Sequence, residues 1–361
     1  MSERRATSGG CFPSRCSIAK ARSARRPQHN GELMSIVNPQ TASASHPRLQ
    51  ALINRAHELA AVHQAAIGLV HPCDAMAVRS AACIRDAAIG RPVLIGHPEL
   101  IERAAAAAEI DCRDFEIIPT AEQAPEAARQ ATSLARDGTL SALMKGSLHT
   151  DELMSAVVDR ANGLRSDSRI SHVFLFDLPR YHKLLALADC VVNITPNLKT
   201  KQDILGNTIG LLRCIGIEQP KVAIVAAVET VNPAIQATVD AQDLVRQGQA
   251  GTWLGAIVEG PLGFDNAFSM EAAQTKNIDS SCAGDFDFML VPDLNAGNLL
   301  YKSFVYVGGG ECAGLVLGAR TPIVLTSRAD SLMARLASVA LAVVATQGDA
   351  PSKFNRSGRT E

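Results

Sequence analysis

Apolar residues recur along this chain in two alternating rhythms. Leu49 to Leu59 repeats at helical spacing, and Ile67-Gly68-Leu69-Val70 is then a short unbroken apolar run closed by His71-Pro72. The alternation continues with a helix expected over about 75–89, a strand over 92–96 and an Ala-rich helix over 98–108. A strand over 115–119, a helix over 124–137 and a strand over 142–146 follow. Beyond residue 170, strands are expected at 172–178, 190–194, 221–228, 255–258, 288–291 and 315–317, with helices at 201–215, 233–247 and 299–306. The last pair is an apolar run, Pro322–Leu325, and a helical pattern from Leu332 to about Val344. Strands alternating with helices of this length predict βαβ units and parallel sheet. They are too many for one sheet of simple topology, so the pattern predicts two α/β domains, with a crossover near Gly163–Arg169.

Composition adds bounds rather than a function. The 361 residues leave room for two domains, and the core is aliphatic, with 47% hydrophobic and only 4% aromatic residues. Such a core suits helices on a parallel sheet. A net charge of −1 gives no general attraction to nucleic acid or anionic membrane. No apolar run reaches the roughly 18 residues of a bilayer span. The nine cysteines are odd in number and contain no C-x-x-C pair, which predicts reduced thiols in a cytoplasmic protein. Residues 1–33 are different material: seven basic residues against Glu3 and Glu32 give +5 and leave −6 elsewhere. They are expected to be a disordered basic extension, best read as a start codon assigned too early with Met34 the true start, and 347–361 to be a flexible tail.

The chemistry gathers where strands end. In an α/β protein ligands bind at the carboxyl ends of strands, where helices begin. Lys145-Gly146-Ser147-Leu148-His149-Thr150 offers a cation, a glycine and small hydroxyls between a strand and a helix. Gly146 would let a ligand approach the backbone, or the segment is an ordinary loop capped by Thr150. Pro292–Asn298 supplies Asp293 and Asn295, either of which could cap the next helix, and Asn298 and Lys302 lie at i, i+4 where both can face one ligand. Glu259–Asp265 is a third acidic, Gly- and Pro-containing cluster. In Thr326-Ser327-Arg328-Ala329-Asp330-Ser331 a hydroxyl, a guanidinium and a carboxylate follow an apolar run, which fits either a capped helix or an anion site.

Other features carry less. Gly308–Ala313 satisfies G-x-G-x-x-A but precedes an apolar run, so it reads as a turn rather than a dinucleotide loop. His149, His172 and His182 do not fall at metal spacings, and Cys190, Cys214, Cys282 and Cys312 read as packed thiols.

Taken together, Lys145–Thr150, Asn193–Asn197, Val228–Pro233, Glu259–Asp265, Val291–Lys302 and Pro322–Ser331 resemble the phosphate acetyl/butyryltransferase family, in order and spacing, from about Ile67 to Ala345. The resemblance implies two α/β domains with parallel-type sheets around a central cleft, as in isocitrate and isopropylmalate dehydrogenases. Domain I would be 34–165 plus 313–346, and 166–312 would be inserted as domain II. It implies acyl-CoA + phosphate ⇌ acyl phosphate + CoA, with coenzyme A as a substrate, no metal or other cofactor, and a homodimer or larger homo-oligomer. Ser327 and Arg328 would be catalytic, the first donating to the transition-state oxygen and the second clamping phosphate. Lys145, Gly146, Ser147, Thr150, Asp293, Asn295, Asn298 and Lys302 would bind phosphate or CoA. Two positions depart from the acetyltransferase pattern. The carboxylate expected seven residues beyond Ser327 is Ala334, with Asp330 the nearest acidic candidate. The arginine expected within 74–79 is replaced by Met76, with Arg79 one turn away. A metal-dependent hydroxy-acid dehydrogenase and a non-catalytic CoA-binding homologue are the competing expectations.

Overall fold

The computed structural model describes residues 46–327 and 329–347. The basic extension and the tail beyond 347 therefore lie outside the described residues, as does Arg328. The first half runs α1 (Pro47–His63), β1 (Ala66–Val70), α2 (Ala75–Asp86), β2 (Arg91–Gly96), α3 (Pro98–Ala108), β3 (Glu116–Pro119), α4 (Ala124–Arg136), β4 (Ala142–Lys145) and α5 (Thr150–Val157). Next come β5 (Ser171–Asp177), β6 (Leu185–Ala188), α6 (Leu198–Cys214), β7 (Lys221–Val225), α7 (Gln236–Gln249) and β8 (Ile257–Leu262). The chain ends with α8 (Phe264–Phe268), α9 (Met270–Thr275), β9 (Phe288–Leu290), α10 (Leu294–Tyr306), β10 (Glu311–Leu317), β11 (Ile323–Val324) and α11 (Leu332–Gln347).

All eleven strands join one mixed sheet, in the order β3-β2-β1-β4-β11-β10-β5-β6-β9-β7-β8, instead of two parallel sheets. Strands β3 to β11 in that order are parallel, and so are β6, β9, β7 and β8. Between them β10 and β5 are antiparallel to each other over seven residue pairs, from Glu311↔Asp177 to Leu317↔Ser171. β10 is also antiparallel to β11, and β5 to β6. The two parallel groups therefore point in opposite directions.

Alternation along the central strands loads both faces. Val173 and Leu175 join Ala313, Leu315 and Leu317 in a core cluster shared with α1, α2, α6, α7 and α11. Phe174 and Phe176 point the other way, as a period of two requires. That second face carries two separate clusters. One lies beneath α4 and α5, with Ala127, Leu153, Val316 and Ile323, and the other beneath α8 and α10, with Phe176, Phe286, Met289 and Phe304. Helix α11 is apolar all round and almost wholly buried from Ala337 to Val344, apart from Ser338 at its centre. The Ser338 hydroxyl is satisfied, donating to Ala334 O (2.6 Å) and accepting the Gly314 N–H (2.8 Å).

Several expected elements move. The strand expected at 190–194 is instead at 185–188, because Asp189 Oδ1 accepts the N–H groups of Val191 and Val192 (both 2.9 Å) and turns the chain. Strand β8 starts at Ile257 and absorbs Glu259–Leu262, so most of that acidic cluster lies within a strand. There Glu259 accepts Ser281 Oγ (2.7 Å) and the Ser280 hydroxyl and holds that loop. The strand at 315–317 is the end of the longer β10, and α10 begins five residues before 299. Gly308–Gly310 follows a helix and precedes a strand, the reverse of a dinucleotide loop.

Helix α1 opens with Pro47 and has no side-chain cap of its own from His46. Its cap comes from Asp177 at the end of β5. The buried Asp177 Oδ2 accepts the N–H groups of Arg48 (2.8 Å) and Leu49 (3.3 Å), while Oδ1 pairs with the Arg48 guanidinium. Asp177→Ala should leave these donors unmet and cost about 2 kcal/mol in urea unfolding. An unchanged midpoint would show that α1 is held by its apolar face alone.

Candidate active site

Three strand ends meet at one end of the sheet. The β4 carbonyl of Lys145 accepts Thr326 Oγ1 (3.3 Å), which ties the segment after β11 to that after β4 across 181 residues. Gly146 N–H bonds Val70 O and Ser147 N–H bonds His71 O (both 2.9 Å), so the same loop is laced to the end of β1. A side chain at Gly146 would lie 2.5 Å from Val70 O. The close approach expected of this glycine is thus made by the β1 backbone. Ser147 Oγ accepts the Cys73 N–H (2.9 Å) and fixes the turn into α2, whose cap is Asp74 (2.8 Å to Ala77 N). Lys145 Nζ donates to the carbonyls of Gly146 (3.3 Å) and Leu148 (3.1 Å). Thr150 is exposed in the first turn of α5. The N–H bond made there is His149 N–H to Glu152 Oε2 (2.7 Å), so Thr150 is not the cap.

Ser327 is exposed on the turn that follows β11. Its N–H donates to Asp330 Oδ2 (2.6 Å), and its Oγ accepts the Ala329 N–H (3.3 Å), so among the described residues its hydroxyl proton has no acceptor. Asp330 therefore closes the turn, while the cap of α11 is Ser331, whose Oγ accepts the Ala334 N–H (2.9 Å). Asp330 Oδ1 also accepts Tyr301 Oη of α10 (3.4 Å), and Tyr301 stacks on Phe174 (4.1 Å between centroids). Burial raises the Asp330 carboxyl above its ordinary value against the opposing pull of the Ser327 N–H and of Arg335. Burial raises the Tyr301 phenol as well.

Beneath the turn lies a residue that the sequence reading missed. Arg335 is only 6% exposed, and its guanidinium donates to Ser327 O (2.6 Å), Thr326 Oγ1 (3.2 Å) and Asp330 O (3.4 Å). Burial lowers its pKa, and Asp330 and Asp74 oppose the shift. The available signal was a single cation within Leu332–Val344, a helix otherwise without charge. Near the amino end of β5, His172 is fully buried with neither ring nitrogen hydrogen-bonded, edge-on to Phe174 (4.5 Å). Desolvation pushes its pKa down to about 4, partly offset by Asp189, so its imidazole is neutral at pH 7.

The α10 residues divide. Asp293 is the helix cap, accepting the Ala296 N–H (3.0 Å), and Asn298 gives its amide to Cys190 O (3.3 Å). Asn295 and Lys302 are exposed. Asn298 is thus bonded to the backbone after β6, while Lys302, one turn on, reaches solvent. The amino end of α10 follows β9, whose group of strands points opposite to β4 and β11. Asp293 and Asn295 therefore stand away from Ser327, and only Tyr301, two turns on, reaches the turn. Met76 and Arg79 lie in the first turns of α2, with Arg79 exposed. The described cysteines are unpaired, and burial raises Cys190, Cys214, Cys282 and Cys312 above the usual thiol range. No helix among the described residues is long and apolar enough to cross a membrane.

Residues 119–343 match the sequence profile of the family described as phosphate acetyl/butaryl transferase. The chain belongs to this family of acyltransferases. A phosphate acetyltransferase of Rhizobium meliloti is 44% identical over 276 residues, covering 76% of this chain and 87% of that protein. A probable phosphate butyryltransferase of Bacillus subtilis is 44% identical over 222 residues, 62% of this chain and 74% of that protein. Among solved structures, a branched-chain phosphotransacylase from Enterococcus faecalis superposes with a TM-score of 0.70 at 25% identity, over 79% of this chain and 99% of that one. Ser327, Asp330 and the Lys145 loop lie inside the part that matches the family.

Arg335→Met should keep the helix and remove the three bonds to the turn. We expect at least a tenfold fall in kcat for the acyl transfer, with Arg335→Lys recovering part of it; equal rates would remove Arg335 from the site. Because its folded pKa is raised, ionised Asp330 costs stability above the pH where the unfolded carboxyl titrates. Asp330→Asn should therefore melt higher than the parent at pH 7, with the gap shrinking as pH falls towards 4. A gap that widens in acid would reverse this account.

Proposed function

We propose that this acyltransferase interconverts a short-chain acyl-CoA and phosphate with an acyl phosphate and CoA. The observation that carries this reading is the turn at Ser327: a hydroxyl whose proton has no acceptor among the described residues, held from below by a buried guanidinium, beside the backbone-laced Lys145 loop. In the forward step a phosphate oxygen attacks the thioester carbonyl carbon. The C–S bond then breaks, and CoA leaves as a thiolate that takes up a proton. Ser327 Oγ–H donates to the carbonyl oxygen as it gains charge, a role worth about 3–4 kcal/mol in comparable sites. Arg328 clamps phosphate through its planar fork. Both oxygens of Asp330 already accept hydrogen bonds, which favours reading it as the residue that sets the Ser327 turn. Lys145, Gly146, Ser147 and Thr150 form the rim nearest phosphate, and the α10 residues face the longer CoA.

The same reading takes 34–165 with 313–346 as one lobe and 166–312 as an inserted lobe, arranged as in isocitrate and isopropylmalate dehydrogenases. The two separate clusters on the second face of the sheet support a cleft between the lobes. No cofactor besides the CoA substrate enters the scheme. A homodimer in the cytoplasm completes it, and the exposed Leu299, Tyr306 and Val307 on and after α10 fit a covered face.

Acetyl-CoA, propionyl-CoA and butyryl-CoA offered with phosphate should each be tested for thiol release, and at least one should give phosphate-dependent turnover. Release with none of them would sink the proposal. Ser327→Ala should lower kcat about 10²–10³-fold, and Arg328→Ala should lower it by a large factor with the far-ultraviolet spectrum retained. Full activity in either variant would remove that residue from the scheme.

A further inference from the structure

A second charged site lies at the other end of the first strand group. A cavity of about 310 Å³ is lined by Arg136, Asp159, Arg160, Arg165 and Arg320, together with Ala161 and Gly163. Arg136 ends α4, Arg160 lies beyond α5, and Arg320 stands just before β11. All of them sit at the amino ends of β4 and β11, whereas Lys145 and Ser327 follow the carboxyl ends.

The charges are held together by backbone. Arg165 and Ala319 form an antiparallel bridge, and the Arg320 N–H donates to Leu164 O (2.8 Å). Two guanidiniums 155 residues apart in sequence thus leave neighbouring backbone positions. The loop that brings Arg160 is equally fixed. Asp159 Oδ1 accepts the N–H groups of Ala161 (3.0 Å) and Asn162 (2.7 Å), and a side chain at Gly163 would lie 2.4 Å from Asp159 O. Arg136 Nη1 donates to Asn162 O (2.7 Å) and braces the loop. One oxygen of the single acid in the lining is thus engaged by its own turn, and its one negative charge faces four guanidiniums.

Six described arginines, at 79, 160, 165, 169, 180 and 320, make no side-chain hydrogen bond or ion pair with any described residue. Three of the six line this cavity. The four arginines of the lining are solvent-exposed, and guanidiniums gathered around one concavity give it a positive potential that draws anions. Guanidinium forks match phosphate and carboxylate oxygens two at a time. The volume sits at the lower end of the range for small-molecule sites, about 300–1,000 Å³.

We propose that this cavity is a binding site for a small polyanion carrying several phosphate or carboxylate groups, separate from the acyl-transfer site. Helix α5 is only about 12 Å long and joins the Arg160 loop to the Lys145–Thr150 loop. Strand β11 joins Arg320 to the Ser327 turn. Occupancy can therefore bear on both site loops through short, rigid elements.

Titration calorimetry of the full chain saturated with CoA, with inorganic tripolyphosphate and then citrate as probes, tests this. One site per chain is expected for at least one probe, weakened at least tenfold in Arg165→Ser and in Arg320→Ser. Both variants should keep the acyl-transfer rate and melting temperature of the parent, because neither residue belongs to that machinery. Absence of heat with both probes overturns the proposal, and so does equal affinity in the variants. Displacement of the probe by CoA also overturns it, since the cavity would then be part of the substrate site. None of these outcomes bears on whether thiol is released from acyl-CoA.

Discussion

The antiparallel ladder between β5 and β10 is the constraint on which the rest of this molecule depends. Its strands are buried on both faces, and within the sheet it lies between the two parallel groups. Because it is the middle of three successive antiparallel pairings, the carboxyl ends of one group lie at the same end of the sheet as the amino ends of the other. β10 also delivers the chain to β11, and through β11 to the Ser327 turn. A slip of one residue in this pairing would exchange Val173 and Leu175 with Phe174 and Phe176 between the two faces. It would break the packing of α11 and α10 together.

On that frame the Ser327 turn is held by groups that are costly to bury. A guanidinium with little access to water lies beneath the turn, and a carboxylate whose charge is disfavoured closes it. Oriented donors and dipoles of this kind stabilise developing charge without reorganising at the moment of reaction. A more stable site could be made from apolar residues, as is often true of buried ion pairs. Such a site would not hold the Ser327 carbonyl and N–H in the directions that aim its hydroxyl.

Much of this was legible in the chain. Apolar runs and helical spacing placed nearly every βα unit of the first half, and the motif order from Lys145 to Ser331 carried the family. Strand direction was not legible, because an apolar run reads the same either way. The clue was connection length: only Leu178 to Leu184 separates β5 from β6, too short for the crossover that parallel strands need. Placing that strand at 190–194 hid the clue. Which residue caps α11 was not legible, since Asp330 and Ser331 are interchangeable caps on paper and only coordinates show which one faces the first turn. A lone cation in an apolar helix usually snorkels to water; for Arg335 the turn above it takes the place of water, which spacing alone does not reveal.

The unbonded imidazole of His172 has a consequence for where this fold can operate. In the unfolded chain a histidine takes up a proton near pH 6.5, whereas this one resists until about pH 4. Between those values the unfolded state binds more protons, so stability falls with acidification by up to about 1.4 kcal/mol per pH unit from this one group. A buried imidazole on a central strand therefore sets an acid limit on the whole sheet, since β5 lies between its two parallel groups.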